Sequence, residues 1–296
     1  MDPEYGTLNW FETMFEGAES GADKWGHQWK ASQKFRYKKY ISILKDIIST
    51  EEELRILDIG CGLGNFTDTI FSLDNRNSLI GTDISIKAVQ QAQRTYPKII
   101  FLRNSLPKTC FKDKTFDIVL CCEVLYYLNK IDRINGIAEI KRIIKPESIL
   151  FLSVVLDGGQ RYFSEEEIFN NLSPEFSIRS FEYNYAKTYS KIETTLVKVL
   201  NILHFLRKMP AMPQEKFDQW YRSNPKMKGL LTYTYKNSKK HHVINNMIVF
   251  SILIPEKLIL TLLSWEFPVT LSFYFSKVFL GNKGKTHLFI LATPKN

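Results

Sequence analysis

Leu57-Asp58-Ile59-Gly60-Cys61-Gly62-Leu63-Gly64-Asn65 decides how this 296-residue chain reads. Leu54, Ile56, Leu57 and Ile59 before the turn suit a buried strand, and Phe66-Thr67 after it open a helix. Three glycines at alternate positions let the backbone bend sharply and approach a ligand closely. A bare G-x-G turn of this kind is a phosphate cradle, because an anion rests well on the helix N-terminus. Asp58, two residues before the first glycine, is a poor neighbour for a diphosphate. It suits instead a ligand with a cationic ammonium and sulfonium. A tight strand–helix turn without a ligand is the plain alternative, so the context of the motif has to decide.

That context continues in order. Leu79-Ile80-Gly81-Thr82-Asp83 reads as the next strand, with Asp83 at its end. An acid about 20 residues beyond the glycine turn is placed to accept hydrogen bonds from ribose hydroxyls. An adenosine joined to a cationic sulfonium is S-adenosylmethionine (SAM). Residues 99–102 read as a third strand, and Asn104 or Ser105 after it offers a polar group to an adenine edge. Phe116-Asp117-Ile118-Val119-Leu120-Cys121-Cys122 is a fourth strand, nearly continuous in apolar residues as a sheet covered on both faces requires. Ile137, Ile140 and Ile144 come next at helical spacing, and Lys145-Pro146 ends that helix. Residues 148–155 and 176–183 read as strands five and six. Such alternation predicts an α/β fold with a mostly parallel sheet and helices on both faces. Ligands bind beyond the carboxyl ends of such strands, where Asp58 to Gly64, Asp83, Asn104, Glu123 and Asp157 all fall.

On these residues, 50–160 resembles a class I SAM-dependent methyltransferase with its Rossmann-like fold. Glu123-Val124-Leu125-Tyr126-Tyr127-Leu128 is more specifically similar to nodulation-type N-methyltransferases that act on chitooligosaccharides. Asp23-Lys24-Trp25-Gly26 and Arg36-Tyr37-Lys38-Lys39-Tyr40 are similar to a D-x-W…R-K-Y arrangement in that group. The resemblance implies SAM as cofactor, held by Asp58, Gly60, Cys61, Gly62, Gly64, Asp83, Ile84, Asn104, Ser105 and Glu123. Asn104 stands where many such enzymes have Asp.

The sheet of that family closes with two antiparallel strands. His287 to Thr293 reads as the seventh strand, so residues 187–285 are an insertion before it, far too long for a bare loop. Helices are expected over 187–208 and 214–223, with two or three more between 243 and 280, broken at Pro255 and Pro268. The expected organisation is an N-terminal helical cap at 1–50, a SAM-binding core at 51–186 and 286–296, and the insertion at 187–285. Charge divides at the same boundary. Residues 1–186 carry 23 Lys and Arg against 26 Asp and Glu, a net of −3; residues 187–296 carry 17 against 5, a net of +12. An apolar, basic insertion points to an anionic partner such as a membrane surface, a lipid-linked phosphate or nucleic acid. A packed helical cap with solvated lysines is the alternative. Residues 243–255 are uncharged but too short to span a membrane, and Lys257 and Glu266 interrupt the apolar stretch beyond them.

The N-terminus is acidic and aromatic and does not read as a signal peptide. Cys61, Cys110, Cys121 and Cys122 lack metal-ligand spacing, which fits free thiols in a reducing cytoplasm. Cys122 as a methyl-transfer nucleophile lacks the Pro-Cys or Thr-Cys context of such enzymes. His27, His204, His241, His242 and His287 are dispersed, so no metal site is expected.

Methyl transfer needs an aligned nucleophile and, for a hydroxyl or ammonium acceptor, a base. Tyr126, Tyr127 and Asp157 are the catalytic candidates, with aromatic packing over the cofactor as the other role for the tyrosines. Trp25 and Tyr37 are expected either to close over the site or to be ordinary core contacts. The expected function is methyl transfer to N or O of a small-molecule or saccharide acceptor, lipid-linked or at a membrane periphery. An RNA methyltransferase using the basic insertion is the second reading, although no N-P-P-[FYW] motif comes after strand four. An inactive scaffold of the same fold is the third, and the intact glycine turn with Asp58 and Asp83 argues against it.

Overall fold

The computed structural model describes residues 4–18, 23–50, 52–159, 161–208 and 242–295, with isolated positions between 208 and 242. The element order is α1 (Leu8–Met14), α2 (Ala31–Ile48), β1 (Arg55–Ile59), α3 (Asn65–Phe71), β2 (Ser78–Asp83), α4 (Ile86–Thr95) and β3 (Ile100–Arg103). It continues with β4 (Phe116–Cys122), α5 (Lys130–Ile143), β5 (Ile144–Val155), α6 (Glu165–Leu172) and β6 (Phe176–Asn184). Then come α7 (Lys187–Lys208), α8 (His242–Ser264), α9 (Glu266–Phe275) and β7 (His287–Pro294).

The seven strands form one sheet in the order β3-β2-β1-β4-β5-β7-β6. The pairs from β3 through β5 are parallel, and β7 runs antiparallel to both β5 and β6. Consecutive residues of a strand point to opposite faces. Leu57, Val119, Leu152 and Ile290 therefore pack under α5 and α6. Their neighbours Ile56, Leu120, Phe151 and Phe289 pack with Tyr40, Leu44 and Ile48 of α2 and Val89 and Ala92 of α4. Both faces are covered, which is why β4 is apolar almost throughout. Truncating Phe151 to Ala would cost about 3–5 kcal/mol.

Two boundaries differ from the sequence reading. β5 starts at Ile144, not 148, and includes Pro146. Phe116 pairs with Ile144 but Ile118 with Ile149, so the ladder is irregular where Pro146 lacks an N–H. Pro255 does not break α8, which runs through it to Ser264. The interruption falls at Trp265, and Pro268 sits in the first turn of α9, where a missing N–H costs nothing. The helix over 187–208 is present as read. The expected helix at 214–223 lies outside the described residues save for isolated positions, and so does His241.

The chain divides into two compact units, Met1–Lys187 with Val269–Asn296, and Thr188–Pro268. Residues 1–50 belong to the first unit, as does 269–285. In the second, the buried carboxylate of Glu256 on α8 accepts hydrogen bonds from Arg207 Nε (2.7 Å) and Nη2 (3.3 Å) on α7. His204 Nδ1 lies 3.1 Å from the same carboxylate.

Candidate active site

The glycine turn joins β1 to α3. Gly60 N and Cys61 N both donate to Thr82 O, at 2.7 and 2.9 Å, which pins the turn onto β2. Gly60 has φ 76°, and a Cβ there would stand 2.2 Å from Val124 Cγ2. Gly62 has φ 54°, and a Cβ there would make only ordinary contact with Phe15 at 3.6 Å. Asp58 is 2% exposed and accepts a 2.6 Å hydrogen bond from Thr67 Oγ1. Burial pushes its carboxyl up to about 7; the Thr67 bond opposes this and the charge of Asp83 adds to it. Asp83 closes β2. Its Oδ2 accepts from Gly62 N at 3.0 Å and its Oδ1 from Ser85 N at 2.9 Å. Burial pushes Asp83 up to about 6 against those bonds.

A cavity opens at this end of the sheet. Asp58, Gly60, Cys61 and Gly62 line it from the turn, Asp83 and Ile84 from β2, and Asn104 and Ser105 from beyond β3. Glu123, Tyr126 and Tyr127 line it from beyond β4. Two expected residues stand elsewhere. Gly64, at φ 78°, heads α3, and a Cβ there would meet Phe101 at 2.8 Å and Ala92 at 3.1 Å; it is a packing glycine. Asp157 is not among the lining residues. Its carboxylate accepts from Gly159 N (3.0 Å), Arg161 N (2.7 Å) and Tyr162 N (2.9 Å), shaping the loop after β5.

The structure adds a buried charge network that the sequence did not reveal. Glu123, at φ 62°, accepts through Oε1 from Ser153 Oγ and from Tyr40 OH (3.3 Å), and through Oε2 from Tyr126 OH (3.3 Å). Arg36 Nη1 stands 3.9 Å from Glu123 Oε2 and 2.6 Å from His287 Nε2. Burial lowers His287 to about 4, so the ring is neutral at pH 7. A guanidinium only donates, so Nε2 accepts from Arg36 and Nδ1–H donates to Thr286 Oγ1 at 3.0 Å. Burial pushes Glu123 up, yet the charges of His287 (at the low pH where its ring is protonated) and of Arg36, with the hydroxyl bonds of Ser153 and Tyr126, together hold it below the usual range. Since His287 is neutral, Arg36 is the cation that keeps Glu123 ionised. Arg36 also lines the cavity, and its buried Nε has no partner. Arg36 and Tyr40 are four apart on α2, a spacing that puts both on one helix face; the position of His287 at the start of β7 carries no sequence signal.

The N-terminal segment supplies an aromatic wall. Phe11, Phe15, Trp25, His27 and Tyr37 line the cavity. Phe15 meets Trp25 at 4.8 Å between ring centroids, Tyr37 meets Phe66 at 5.1 Å, and Phe11 meets Tyr127 at 5.0 Å. Burial lowers His27 to about 4 and holds the phenols of Tyr126 and Tyr127 neutral. Cys122 lines the cavity too, but burial holds its thiol protonated, which removes it as a nucleophile. No group of metal-binding side chains exists among the described residues.

The family described as "Methyltransferase domain" matches residues 56–147, from β1 to within β5. Residues 56–147, which hold the glycine turn and β1 to β4, are thus similar to a methyltransferase domain. An uncharacterized protein of Methanocaldococcus jannaschii, MJ0638, is 34% identical over 145 residues, which are 48% of this chain and 59% of that protein. Demethylmenaquinone methyltransferase of Chlorobaculum tepidum is 26% identical over 141 residues, 46% of this chain and 57% of that one. The chain thus spans just under three-fifths of the length of both curated relatives. The N-methyltransferase NodS of Bradyrhizobium japonicum WM9, solved with S-adenosyl-L-homocysteine, superposes with a TM-score of 0.50. It is 18% identical, covers 58% of this chain and 89% of its own, and shares the fold.

SAM is the methyl donor of such domains, and the residues of this cavity fit it. Asp58 and Asp83 are buried carboxylates, and among the described residues no lysine or arginine pairs with either. Buried acids without a cation are costly unless a ligand brings positive charge or hydrogen-bond donors. SAM brings both.

Proposed function

We propose that the protein transfers a methyl group from SAM to a nitrogen or oxygen of a small-molecule or saccharide acceptor. The observation that carries this reading is the pair of buried acids, Asp58 and Asp83, hydrogen-bonded but without a paired cation among the described residues, flanking a glycine turn in one cavity. Bound there, SAM supplies an electrophilic methyl on a sulfonium leaving group. Asp58 and the turn hold the methionine end, with the unpaired Arg36 Nε available to its carboxylate. Asp83 takes the ribose hydroxyls, and Asn104 and Ser105 the adenine edge. Glu123 stays fixed by Arg36, Ser153 and Tyr126, and is ionised but weakly basic. Aromatic rings from the N-terminal segment exclude water, which strengthens every electrostatic contact inside.

The two cavity acids with raised values, Asp58 and Asp83, are taken up by SAM, and the acceptor side offers neutral phenols at Tyr126 and Tyr127. This favours an acceptor that enters with a free lone pair, a neutral amine above all, with Tyr127 positioning it. The similarity of the Glu123-Val124-Leu125-Tyr126-Tyr127-Leu128 stretch to N-methyltransferases supports the same preference. The test is a labelled-SAM screen against extract fractions of lipid, glycan, RNA and small molecules, with SAM binding measured by calorimetry. Label in small-molecule or glycan fractions is the expected result. Tight SAM binding with label confined to RNA would transfer the reading to RNA; absence of SAM binding would remove it altogether.

A further inference from the structure

Between Ile254 and Leu280, twelve large apolar side chains are 37–71% exposed. They are more than half of all the exposed large apolar side chains among the described residues. Phe267, Leu271, Tyr274, Val278 and Phe279 are each 59% exposed or more, and Trp265 is 55% exposed. Water-soluble surfaces seldom carry that much apolar area in one run, and such runs mark interaction sites.

The charges of the same segment are few and tilted to one sign. Glu256 is buried against Arg207, which leaves Lys257, Lys277, Lys283 and Glu266. Residues 187–296 as a whole carry a net of +12, from 17 basic against 5 acidic residues. A second copy of this chain would set like charge against like, whereas an anionic surface would meet complementary charge. No single described helix is long and apolar enough to cross a membrane; Ile252–Ser264 and Glu266–Gly284 reach that length and composition only as a bent pair. The break between them carries Trp265, and Tyr274 lies on α9; amphipathic rings of this type favour the headgroup level of a bilayer.

We infer that residues 252–284 lie in the surface layer of an anionic membrane. The exposed apolar side chains enter the acyl boundary, and Lys257, Lys277 and Lys283 meet lipid phosphates. This inference goes beyond methyl transfer and stands whatever the acceptor is. It also gives the basic C-terminal part a task that the catalytic cavity does not require.

The test uses the full chain with two vesicle types, phosphatidylcholine alone and an equimolar mixture with phosphatidylglycerol. At low salt the protein sediments with the anionic vesicles and not with the neutral ones, and salt releases it. Lipids brominated on their acyl chains quench the tryptophan emission of the wild type, and Trp265→Phe loses that quenching. The triple variant Phe267→Glu/Val278→Glu/Phe279→Glu lowers the partition coefficient about tenfold or more. Trp265→Phe is conservative enough to fold, so the quenching result stands even where the triple variant does not. SAM binding by calorimetry, run in parallel, separates failure here from failure of the catalytic reading. Equal sedimentation with both vesicle types, no sedimentation with either, or quenching untouched by Trp265→Phe overturns the inference. So does a lipid-free oligomer that the triple variant dissolves, or nuclease-sensitive RNA bound in preference to vesicles.

Discussion

Thr67 Oγ1 on α3 donates a 2.6 Å hydrogen bond to Asp58 Oδ2 at the end of β1, across the glycine turn. The bond favours the ionised carboxylate, yet burial outweighs it and places Asp58 at about 7, with Asp83 at about 6. Both folded-state values exceed the unfolded carboxylate value of about 4. Each acid therefore opposes folding as it ionises, and its penalty grows between about pH 4 and 7. A cationic ligand selects the ionised form, so its affinity runs the other way. SAM affinity should rise by up to about tenfold per pH unit until about pH 7, then level off. Calorimetry across that range, with Asp58→Asn as the control that removes the rise between about pH 6 and 7, measures it. A wild-type affinity independent of pH would contradict the assigned protonation.

Gly60→Ala tests whether the turn is shaped for a ligand or merely tight. A Cβ would collide with Val124 Cγ2 at 2.2 Å, and φ of 76° is unfavourable for alanine by about 1–2 kcal/mol. The substitution should lower the melting temperature and abolish SAM binding. Adding Val124→Ala removes the collision and leaves the strain, so the double variant should recover part of the stability. Full recovery of binding in the double variant would locate the defect in the clash alone.

The sheet, its core and the glycine turn were legible because they depend on local patterns. Apolar runs of strand length, three glycines and two acids at strand ends are all written along the chain. Asp157 misled for a physical reason: an acid after a strand serves equally well to cap backbone N–H groups, as it does for Gly159, Arg161 and Tyr162. Pro255 misled because a long apolar helix tolerates the loss of one backbone bond. Gly64 was read as a ligand contact, but Phe101 needs the space. The Arg36–Glu123–His287 cluster joins three elements separated by more than 80 residues along the chain, and no spacing rule reaches that far.

Arg36 and Glu123 form a buried pair, so removing one partner should hurt more than removing both. Arg36→Met leaves Glu123 buried beside a neutral His287 and should cost about 3–5 kcal/mol. Arg36→Met/Glu123→Gln should be markedly more stable than Arg36→Met alone. Denaturant melts of both single variants and the double variant give the coupling. Near-additive effects would mean that Arg36 is not the counter-charge of Glu123.

Tyr127→Phe and Asp157→Asn separate the acceptor end from the loop that frames it. Tyr127 lines the cavity with a neutral phenol, whereas Asp157 holds three backbone N–H groups outside it. Tyr127→Phe should leave SAM affinity and melting temperature near wild type while lowering kcat for the identified acceptor. Asp157→Asn should instead lower stability by about 1–2 kcal/mol and raise the acceptor KM through loop disorder. A kcat loss of several hundredfold in Asp157→Asn with unchanged KM would return Asp157 to the catalytic set.

Glu12 on α1 reaches α4: its Oε1 accepts from Ile86 N at 2.8 Å and its Oε2 from Ser85 Oγ at 3.0 Å and Lys87 N at 3.4 Å. One carboxylate thus caps the start of α4 and ties down the segment whose Phe11 and Phe15 line the cavity. Arg161 stacks on the Tyr5 ring at 4.0 Å, a second hold on the same segment. Bound ligand is expected to leave when this segment lifts. Glu12→Ala should cost about 1 kcal/mol as a lost cap, a small effect on global stability. Its main effect should be local: faster amide exchange in residues 4–18 and a severalfold faster release of S-adenosylhomocysteine. Glu12→Gln keeps an acceptor oxygen and should fall between the two. Stopped-flow release rates with exchange mass spectrometry report both effects. An unchanged release rate in Glu12→Ala, despite faster exchange, would show that the ligand leaves by another route.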